Sequence, residues 1–349
     1  MSPPLLALAL AATLDVPAGG DLAAALSLAR AGDTVRLAAG DHQGALGELR
    51  GVRVLGAGAG STVLLAPEGE DGATLLGDAS VEGLSLVAGP GRCAVVAASG
   101  PNTLRDVALV GEACGLRVSG GRVEARDVDA VGRRGIHMTG GEAKISGGSA
   151  HGEVAGVAAA GGALSLVRFA VTGPSSDAAV SASGGTLFLD SVVVRAPGAT
   201  GIAVAGGASV EARVLAVVGG SSDEEIPGAC LLSRRGALRI LDGLLARCGG
   251  SALVAAGGTA ALTGVDAAGG VSGCFQGLSG ARMDLSGNTC IGRGPGLLLA
   301  GGAAADTRMN LWASDPVRYV DCGSGAVLTL GPGEPGPIPC AGSRPPAAP

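Results

Sequence analysis

Apolar residues along this chain recur around a regular series of glycine pairs. Gly-Gly pairs begin at residues 120, 140, 161, 184, 206, 257 and 301. The first four steps in this series are 20, 21, 23 and 22 residues, and Arg234-Arg235 and Ser279-Gly280 occupy equivalent places inside the two longer gaps. The pairs therefore mark a repeat of about 22 residues, which is typical of solenoid proteins.

Within each repeat the apolar residues keep fixed offsets from the glycine pair. They lie four and two residues before it, as at Leu116 and Val118, and three and five residues after it, as at Leu164 and Leu166. A third apolar set lies eight and ten residues after the pair. Alternation with a period of two indicates β-strands, and glycine favours corners between them. We predict an all-β fold, a three-sided parallel β-helix of about 12 coils.

Composition agrees with a packed repeat and excludes several other classes. Glycine contributes 65 of 349 residues, but 47% of the chain is hydrophobic and only 15% is charged, which excludes ordinary disorder. The sequence has no strict Gly-X-Y run, which excludes collagen. The net charge is −6 and no basic stripe with interleaved aromatics occurs, so we expect no nucleic acid partner. No internal stretch reaches the ~20 apolar residues of a transmembrane span.

The eight cysteines test the register of the repeat. Cys93 and Cys114 each lie six residues before equivalent corners, so they fall in one column, where a coil spacing of ~4.8 Å suits a disulfide. No cysteine spacing is typical of zinc sites, so disulfides and an oxidising compartment are favoured. Three more pairings rest on sequence separation alone: Cys230 with Cys248, Cys274 with Cys290, and Cys322 with Cys340.

The chain divides into four segments. Residues 1–12 carry a short apolar run, which we interpret as a weak or truncated signal segment. Residues 13–50 predict a strand and a helical cap with Asp21 as N-cap, and residues 51–303 the coils. Residues 304–349 predict a C-terminal cap, plugged by Trp312 and Tyr319, and a Pro/Gly-rich tail. These features predict a secreted, periplasmic or cell-surface protein.

The N-terminal part resembles a known family. Residues 13–46, TLDVPAGGDLAAALSLARAGDTVRLAAGDHQGAL, followed by GVRVLGAGAGSTVLLAP at 51–67, resemble the entry segment of pectin-lyase-like right-handed β-helix proteins. The resemblance implies a right-handed coil with a short N-terminal capping helix. It implies no single activity, because this superfamily includes pectate lyases, polygalacturonases, alginate epimerases, pectin esterases and proteins with no known chemistry.

Residue patterns expected for those activities are missing from the sequence. His151 is preceded by Ala150, so the Gly-His-Gly element of polygalacturonases is absent, and Asp315-Pro316 is not followed by the histidine of epimerases. No coil shows the clustered aspartates of a calcium-dependent pectate lyase. We also expect no interior asparagine ladder, because the only asparagines are Asn102, Asn288 and Asn310.

The densest group of titratable residues lies on the coils with corners at 120 and 140. A lyase-type hypothesis takes His137 or Lys144 as the base and Arg117 as the cation that neutralises a uronate carboxylate. The alternative is a structural ladder of opposite charges on adjacent coils, worth roughly 0.2–1 kcal/mol per pair. That ladder would stack Arg122 on Glu142 and Glu124 on Lys144. Arg117 would stack over His137, without an oppositely charged partner in this ladder.

Two further places in the sequence carry notable polar residues. Asp223, Glu224 and Glu225, in a predicted protruding loop at 221–227, are candidate calcium ligands, with a solvated loop as the alternative. His42, near the N-terminal cap, is expected to be an exposed polar residue. We predict no cofactor.

Our leading functional hypothesis is a monomeric, non-catalytic scaffold or binding surface for a polysaccharide or another envelope protein. The alternative is a polysaccharide lyase or glycoside hydrolase with a non-standard site on the 117–151 face.

Overall fold

The structure is a computed structural model that describes residues 11–174, 177–196, 200–219, 228–270, 272–313, 318–332 and 334. These residues form a single-stranded, right-handed parallel β-helix of about 14 turns, two more than the repeat predicts. Each turn places three short strands around a common core. Residues 1–10 of the predicted signal segment at 1–12, the acidic loop at 221–227 and the tail after 334 lie outside the described residues.

Thirty-one strands, one α-helix and one short 3-10 helix make up the described chain. The helices are Leu22–Leu28 (α1) and Cys322–Ser324. The strands, numbered β1 to β31 in order, are Thr13–Val16, Thr34–Leu37, Gly40–Gln43, Gly47–Leu49, Arg53–Leu55, Thr62–Leu65, Ala73–Leu75, Ala79–Val87, Cys93–Ala97, Pro101–Val110, Cys114–Val118, Arg122–Met138, Glu142–Ala159, Ala163–Val167, Ala170–Thr172, Ala178–Ala182, Thr186–Ala196, Thr200–Ala205, Ser209–Gly219, Leu231–Arg234, Ala237–Ala246, Ser251–Ala256, Thr259–Ala268, Gly273–Leu278, Arg282–Ser286, Thr289–Ile291, Leu297–Leu299, Ala304–Arg308, Leu311–Ala313, Arg318–Val320 and Val327–Leu330.

The coil that contains β12 shows how the three faces are built, because this strand bends around a whole turn. Residues 122–126 belong to the first face, residues 128–131 to the second and residues 134–138 to the third. The other coils pair in register with these positions. Strands stack on the first face from Thr13 to Leu330, so stacking extends beyond the predicted coil limits of 51 and 303 at both ends.

The core confirms the predicted offsets from the glycine pairs. Leu116 and Val118 before a pair and Leu164 and Leu166 after one are all buried at 2% exposure or less. The third apolar set is buried too, including Phe169. Alternate side chains point outward on every strand, so each face carries columns of outward residues one coil apart.

The corner between the third and first faces requires its glycines. Gly162 has a φ of +76°, and a Cβ on it would lie 2.5 Å from the carbonyl oxygen of Gly141, one coil away. Gly141 itself has a φ of +72°, and a Cβ on it would lie 2.5 Å from the carbonyl oxygen of Gly121, again one coil away. Both the left-handed backbone and the close approach of neighbouring coils therefore exclude a side chain.

The corner between the first and second faces also uses a left-handed residue, but often not a glycine. Asp106, Asp127, Ser191 and Val214 occupy this place with φ values between 48° and 56°. Aspartate and serine tolerate this conformation better than a β-branched residue does. Val214, at 50° and 59% exposed, is therefore the strained member of the column.

Helix α1 confirms the predicted N-terminal cap. The side chain of Asp21 accepts a hydrogen bond from the Ala24 backbone N–H at 2.9 Å, as an N-cap residue does. Leu22 is buried, and Ala25 and Leu26 pack against the end of the core. The helix therefore covers the apolar opening of the first coil.

Three disulfides join neighbouring coils. Cys93 and Cys114 are direct register partners with Cα atoms 4.5 Å apart, and they are bonded. Two pairings suggested by sequence separation are also present, although they join non-equivalent positions: Cys230–Cys248 and Cys274–Cys290. Cys340 lies outside the described residues, so the pairing of Cys322 with Cys340 stays a prediction.

A short buried ladder near the C-terminal end corrects one expectation. Asn288 and Asn310 stack on successive coils, and the Asn288 side-chain amide donates to Asn310 Oδ1 at 3.0 Å. Glu334 is the third rung, because its Oε1 accepts from the side-chain amide of Asn310 at 2.9 Å. The chain therefore has an asparagine ladder of limited length, closed by a carboxylate.

Glu334 also connects the ladder to the aromatic cap. Its Oε2 accepts from Trp312 Nε1 at 2.8 Å and from Arg318 Nη2 at 2.5 Å. The Trp312 ring packs edge-on against buried Phe275, with centroids 6.0 Å apart. Trp312 thus packs against the core at the C-terminal end of the β-helix. The ring of Tyr319 lies outside the described side chains, so a plug made by both rings stays a prediction.

His42 differs from its sequence expectation. Its side chain is fully buried at 0% exposure, and Nε2 lies 2.9 Å from the Ala38 carbonyl oxygen. The reason is the alternation of β3, in which His42 takes the inward position between the exposed Asp41 and Gln43. The histidine is therefore part of the interior of an early coil.

Candidate binding site on the third face

The structure separates the three residues of the lyase-type hypothesis. Arg117 and His137 lie on the third face, in β11 and at the end of β12. Lys144 lies on the first face, and His151 on the second. The outward directions of the three faces diverge around the core, so Lys144 and His151 do not join Arg117 and His137 in one site. The predicted 117–151 face is therefore three separate surfaces.

Arg117 and His137 form a vertical pair at the centre of the third face. They are direct register partners on neighbouring coils, as the repeat predicts. The same column continues upward through Ala158 and Ser181. Because these two residues are small, the surface falls away directly beside the imidazole ring.

A depression of about 230 Å³ follows from that change in side-chain size. Arg134 and His137 stand on one side of it, and Asp177 and Ser181 on the other, with alanines forming the floor. Arg134 lies at the start of the third face and lines the same hollow as His137. Asp177 comes from the segment that leads into β16, and its Oδ1 accepts from the Ala178 backbone N–H at 2.8 Å.

The electrostatics of this hollow keep His137 neutral. Burial lowers the pKa of His137, and the positive charges of Arg134 and Arg117 lower it further. At pH 7 the imidazole therefore has one nitrogen that accepts a hydrogen bond or a proton and one that donates. The positive charge of the site comes from the two guanidinium groups.

Those guanidinium groups have spare hydrogen-bonding capacity. Within the described part of the chain, neither Arg117 nor Arg134 forms a salt bridge. Arg117 Nε is buried and has no hydrogen-bond partner among the described residues. A buried donor without a partner is unfavourable, so this Nε carries a local cost to stability.

Lys144 belongs to the charge ladder of the first face. The register pairs Arg122 with Glu142 and Glu124 with Lys144, as expected. The ion pairs, however, run along each strand: Arg122 Nη2 lies 2.7 Å from Glu124 Oε1, and Lys144 Nζ lies 3.5 Å from Glu142 Oε1. All four side chains are largely exposed, so each pair contributes little to stability.

No metal centre is found in the part of the chain that the structure describes. No group of three or more histidine, cysteine, aspartate or glutamate side chains is placed to hold an ion there. The candidate calcium ligands Asp223, Glu224 and Glu225 lie outside the described residues, so that site stays a sequence-based prediction.

The repeat predicts the Arg117–His137 pair, but it assigns no role to Arg134 and Asp177, which line the hollow beside His137. Alignment of the repeats carries a usable signal for the hollow, because Ala158 and Ser181 follow His137 in its column and small residues there leave a gap. Asp177 gives no such signal, since it lies in an irregular connection outside the repeat pattern.

Comparison with known proteins finds only distant structural similarity. Neither the known protein families nor the curated proteins include a match. Among solved structures, the A-module of mannuronan C-5 epimerase AlgE4 from Azotobacter vinelandii is similar over 85% of this chain and 88% of its own, at 15% identity and a TM-score of 0.39. The catalytic domain of a GH87 α-1,3-glucanase in complex with nigerose is similar over 96% of this chain and 70% of its own, at 11% identity and a TM-score of 0.32.

A third similar structure is ORF18 of Geobacillus virus E2, at 8% identity and a TM-score of 0.35; the similarity covers 85% of this chain and 54% of the viral protein. At these low values, none of the three similarities carries an argument about activity or substrate. The parallel β-helix itself is established by the strand pairing of this chain.

Proposed function

We propose that this protein is a non-catalytic protein of the secreted or cell-envelope type whose third face binds an acidic polysaccharide. The observation that carries the proposal is that two guanidinium groups flank neutral His137: Arg134 lines the hollow with it, and Arg117 is its register partner on the neighbouring coil. Guanidinium groups bind carboxylates through paired hydrogen bonds. His137, Asp177 and Ser181 add polar groups that suit sugar hydroxyls.

The features expected of an extracellular protein support this proposal. Three disulfides staple the coils, and disulfides form in oxidising compartments. Within the described residues, no helix is both long enough and apolar enough to cross a membrane.

Binding of oligogalacturonides tests the third face. Carboxyl-reduced oligomers of the same length, which carry no negative charge, are the control ligands. In calorimetric titrations we expect Arg117→Ala and Arg134→Ala each to weaken binding by at least about tenfold, because each loses charge-assisted hydrogen bonds. The matched control is Arg282→Ala, on the first face, which should leave the affinity unchanged. Equal loss in all three variants, or equal affinity for the uncharged oligomers, would contradict the proposal.

The pH dependence of binding provides a second test of the same site. The lowered pKa of His137 means that the imidazole gains its proton only at a pH below the ordinary histidine value of about 6.5. Its added positive charge should then strengthen binding of the uronate polymer as the pH falls through that lowered pKa. His137→Gln should remove this rise while keeping a polar side chain.

A lyase-type activity is the second candidate, and neutral His137 beside Arg117 is the observation that favours it. A neutral imidazole can take the C5 proton of a uronate whose carboxylate is held by a guanidinium. The C4–O bond would then break, and the leaving oxygen would take a proton from water. Unsaturated product, followed by its absorbance, should appear with the native chain and vanish in His137→Ala if this candidate is correct. Binding without product supports the non-catalytic function.

A further inference from the structure

One phenylalanine ring of the β-helix points outward. Of the three phenylalanines in the chain, Phe169 and Phe275 are buried at 2% exposure or less, whereas Phe188 is only half-buried. Phe188 takes an outward position in β17 on the first face, with Ser165 and Glu211 as its register partners on the neighbouring coils. An outward ring on a strand lies outside the core, so its surface is open to contact from outside the molecule.

A hollow of about 400 Å³ lies beside this ring. The coil of β14 places Ala163 and Ser165 there, and because both residues are small, the surface falls away between Phe188 and the next large side chains. Those side chains are Glu142 and Lys144, on the coil beyond β14. Two coil spacings of ~4.8 Å separate the ring from that wall, so the hollow is ~10 Å wide. Its volume falls within the range of small-molecule sites, roughly 300–1,000 Å³.

The charges around this hollow cancel. Glu142 and Lys144 form an ion pair at 3.5 Å on one wall, and Glu211 and Arg213 form another at 3.1 Å beside the ring. The Arg213 guanidinium also lies over the Phe188 ring, 5.5 Å from its centroid. All four charged side chains are between 37% and 56% exposed, so each pair can rearrange around a ligand at little cost. An anion would meet two carboxylates and a cation two positive groups, so the balance favours an uncharged ligand.

The remaining polar groups of the hollow suit the hydroxyl groups of a sugar. Ser165, Thr186 and Ser209 line the hollow, and each of their hydroxyls can donate and accept a hydrogen bond. The two carboxylates add acceptors, and Lys144 adds a donor. Sugar hydroxyls both donate and accept, so they match this mixed set. The face of an aromatic ring is negative, so Phe188 attracts the C–H groups on one side of a sugar ring.

We infer that this hollow is a second glycan site, in which an uncharged hexose stacks on Phe188. Its chemistry differs from that of the third face, where two guanidinium groups favour a carboxylate. The hollow shares Lys144 and Ser165 with a neighbouring hollow of about 360 Å³, and Ser209 and Glu211 with another of about 430 Å³. The three hollows follow one another along the first face, so the site suits an internal unit of an extended neutral polysaccharide.

Calorimetric titration of the full chain with cellohexaose, mannohexaose and maltohexaose tests the site. We expect at least one of these uncharged oligomers to bind. Phe188→Ala and Phe188→Leu should each weaken that binding by about tenfold, because both lack the ring face, and Phe188→Tyr should retain it. Leu241→Ala is the matched control, since Leu241 is a half-buried outward residue of the same face, two coils away and outside the hollow. All variants should keep the circular dichroism of the native chain.

The inference is overturned if none of the three oligomers binds, or if Leu241→Ala weakens binding as strongly as Phe188→Ala. It is also overturned if oligogalacturonides or chitosan oligomers bind more tightly than the uncharged ones and lose that binding in Phe188→Ala. Arg117→Ala should leave the affinity for uncharged oligomers unchanged, so failure of this site and failure of the third-face site are distinguishable. Carboxyl-reduced oligogalacturonides are themselves uncharged, so their comparison with oligogalacturonides on the third face is made in Phe188→Ala.

Discussion

Replacement of Glu334 by glutamine should open the C-terminal end of the β-helix before the remaining coils unfold. The Glu334 carboxylate is 0% exposed and accepts four hydrogen bonds: two from Asn310 and one each from Trp312 and Arg318. Glutamine has the same shape but only one acceptor oxygen. Two of the four donors must then face the amide NH₂ group, whichever way the side chain is turned.

The magnitude follows mainly from the loss of a buried ion pair. The Arg318 side chain is 3% exposed, and its Nη2 stands 2.5 Å from Glu334 Oε2. Removing one partner of a buried ion pair typically destabilises by about 3–5 kcal/mol. Glu211→Gln is the matched control. Its partner Arg213 lies 3.1 Å away, but that pair is exposed and is worth at most about 1 kcal/mol.

The protein carries its own local probe for this experiment. Trp312 is the only tryptophan, and its indole N–H donates to Glu334. Urea unfolding is followed by Trp312 fluorescence, which reports the C-terminal cap, and by far-ultraviolet circular dichroism, which reports all the strands. Because each coil of a solenoid contacts only its neighbours, the fluorescence transition of Glu334→Gln should move to lower urea than the circular dichroism transition. Coincident transitions at the urea midpoint of Glu211→Gln would refute this reasoning.

Acid should reproduce the effect in the native chain. Burial raises the pKa of Glu334, but hydrogen bonds from Asn310 and Trp312 and the charge of Arg318 outweigh burial, so the pKa lies below its ordinary value. A carboxyl with a lowered pKa in the folded state stabilises the fold above its unfolded pKa of about 4.3. That stabilisation is lost as the pH falls through the lowered value. Trp312 fluorescence should therefore change at a pH below the ordinary glutamate range.

Three further substitutions test the corners between faces and one disulfide. Val214→Gly should stabilise the protein by about 1 kcal/mol, because it removes a β-branched residue at a φ of 50°. The control Val193→Gly, on a regular strand, should destabilise the protein by roughly 0.5–1 kcal/mol. Thermal melting compares the two variants. Gly162→Ala should lower the melting temperature, since its Cβ would lie 2.5 Å from the Gly141 oxygen. Cys93→Ser should lower the free energy of unfolding by about 2–4 kcal/mol, measured by urea unfolding against the native chain with its disulfides intact.

Features that repeat in every coil could be predicted from the sequence. The columns of Leu116 and Val118, the bond between Cys93 and Cys114 and the register of Glu124 with Lys144 all follow from one spacing, because stacking converts sequence distance into position. The capping helix follows from the N-cap signal of Asp21. These predictions depend on local patterns that the three-dimensional structure does not override.

Features that depend on a single place in the rod could not be predicted. The repeat places a corner at Gly140-Gly141, between His137 and Lys144, but spacing alone does not give the angle by which that corner turns the two side chains onto different faces. Glu334 completes the asparagine ladder from a segment with no repeat. The burial of His42 reflects the alternation of one short strand, and a histidine there gives no apolar signal.

The separation of faces also determines how the proposals can be tested. On each strand the inward residues form the core and the outward residues form one of three surfaces, so an outward substitution need not disturb the fold. Arg117 and Arg134 can therefore be removed without loss of inward packing. Asp129→Ala, on the second face, should leave oligogalacturonide affinity unchanged, because its side chain points away from the third face. Loss of affinity in Asp129→Ala would mean that the coils transmit strain between faces through the common core.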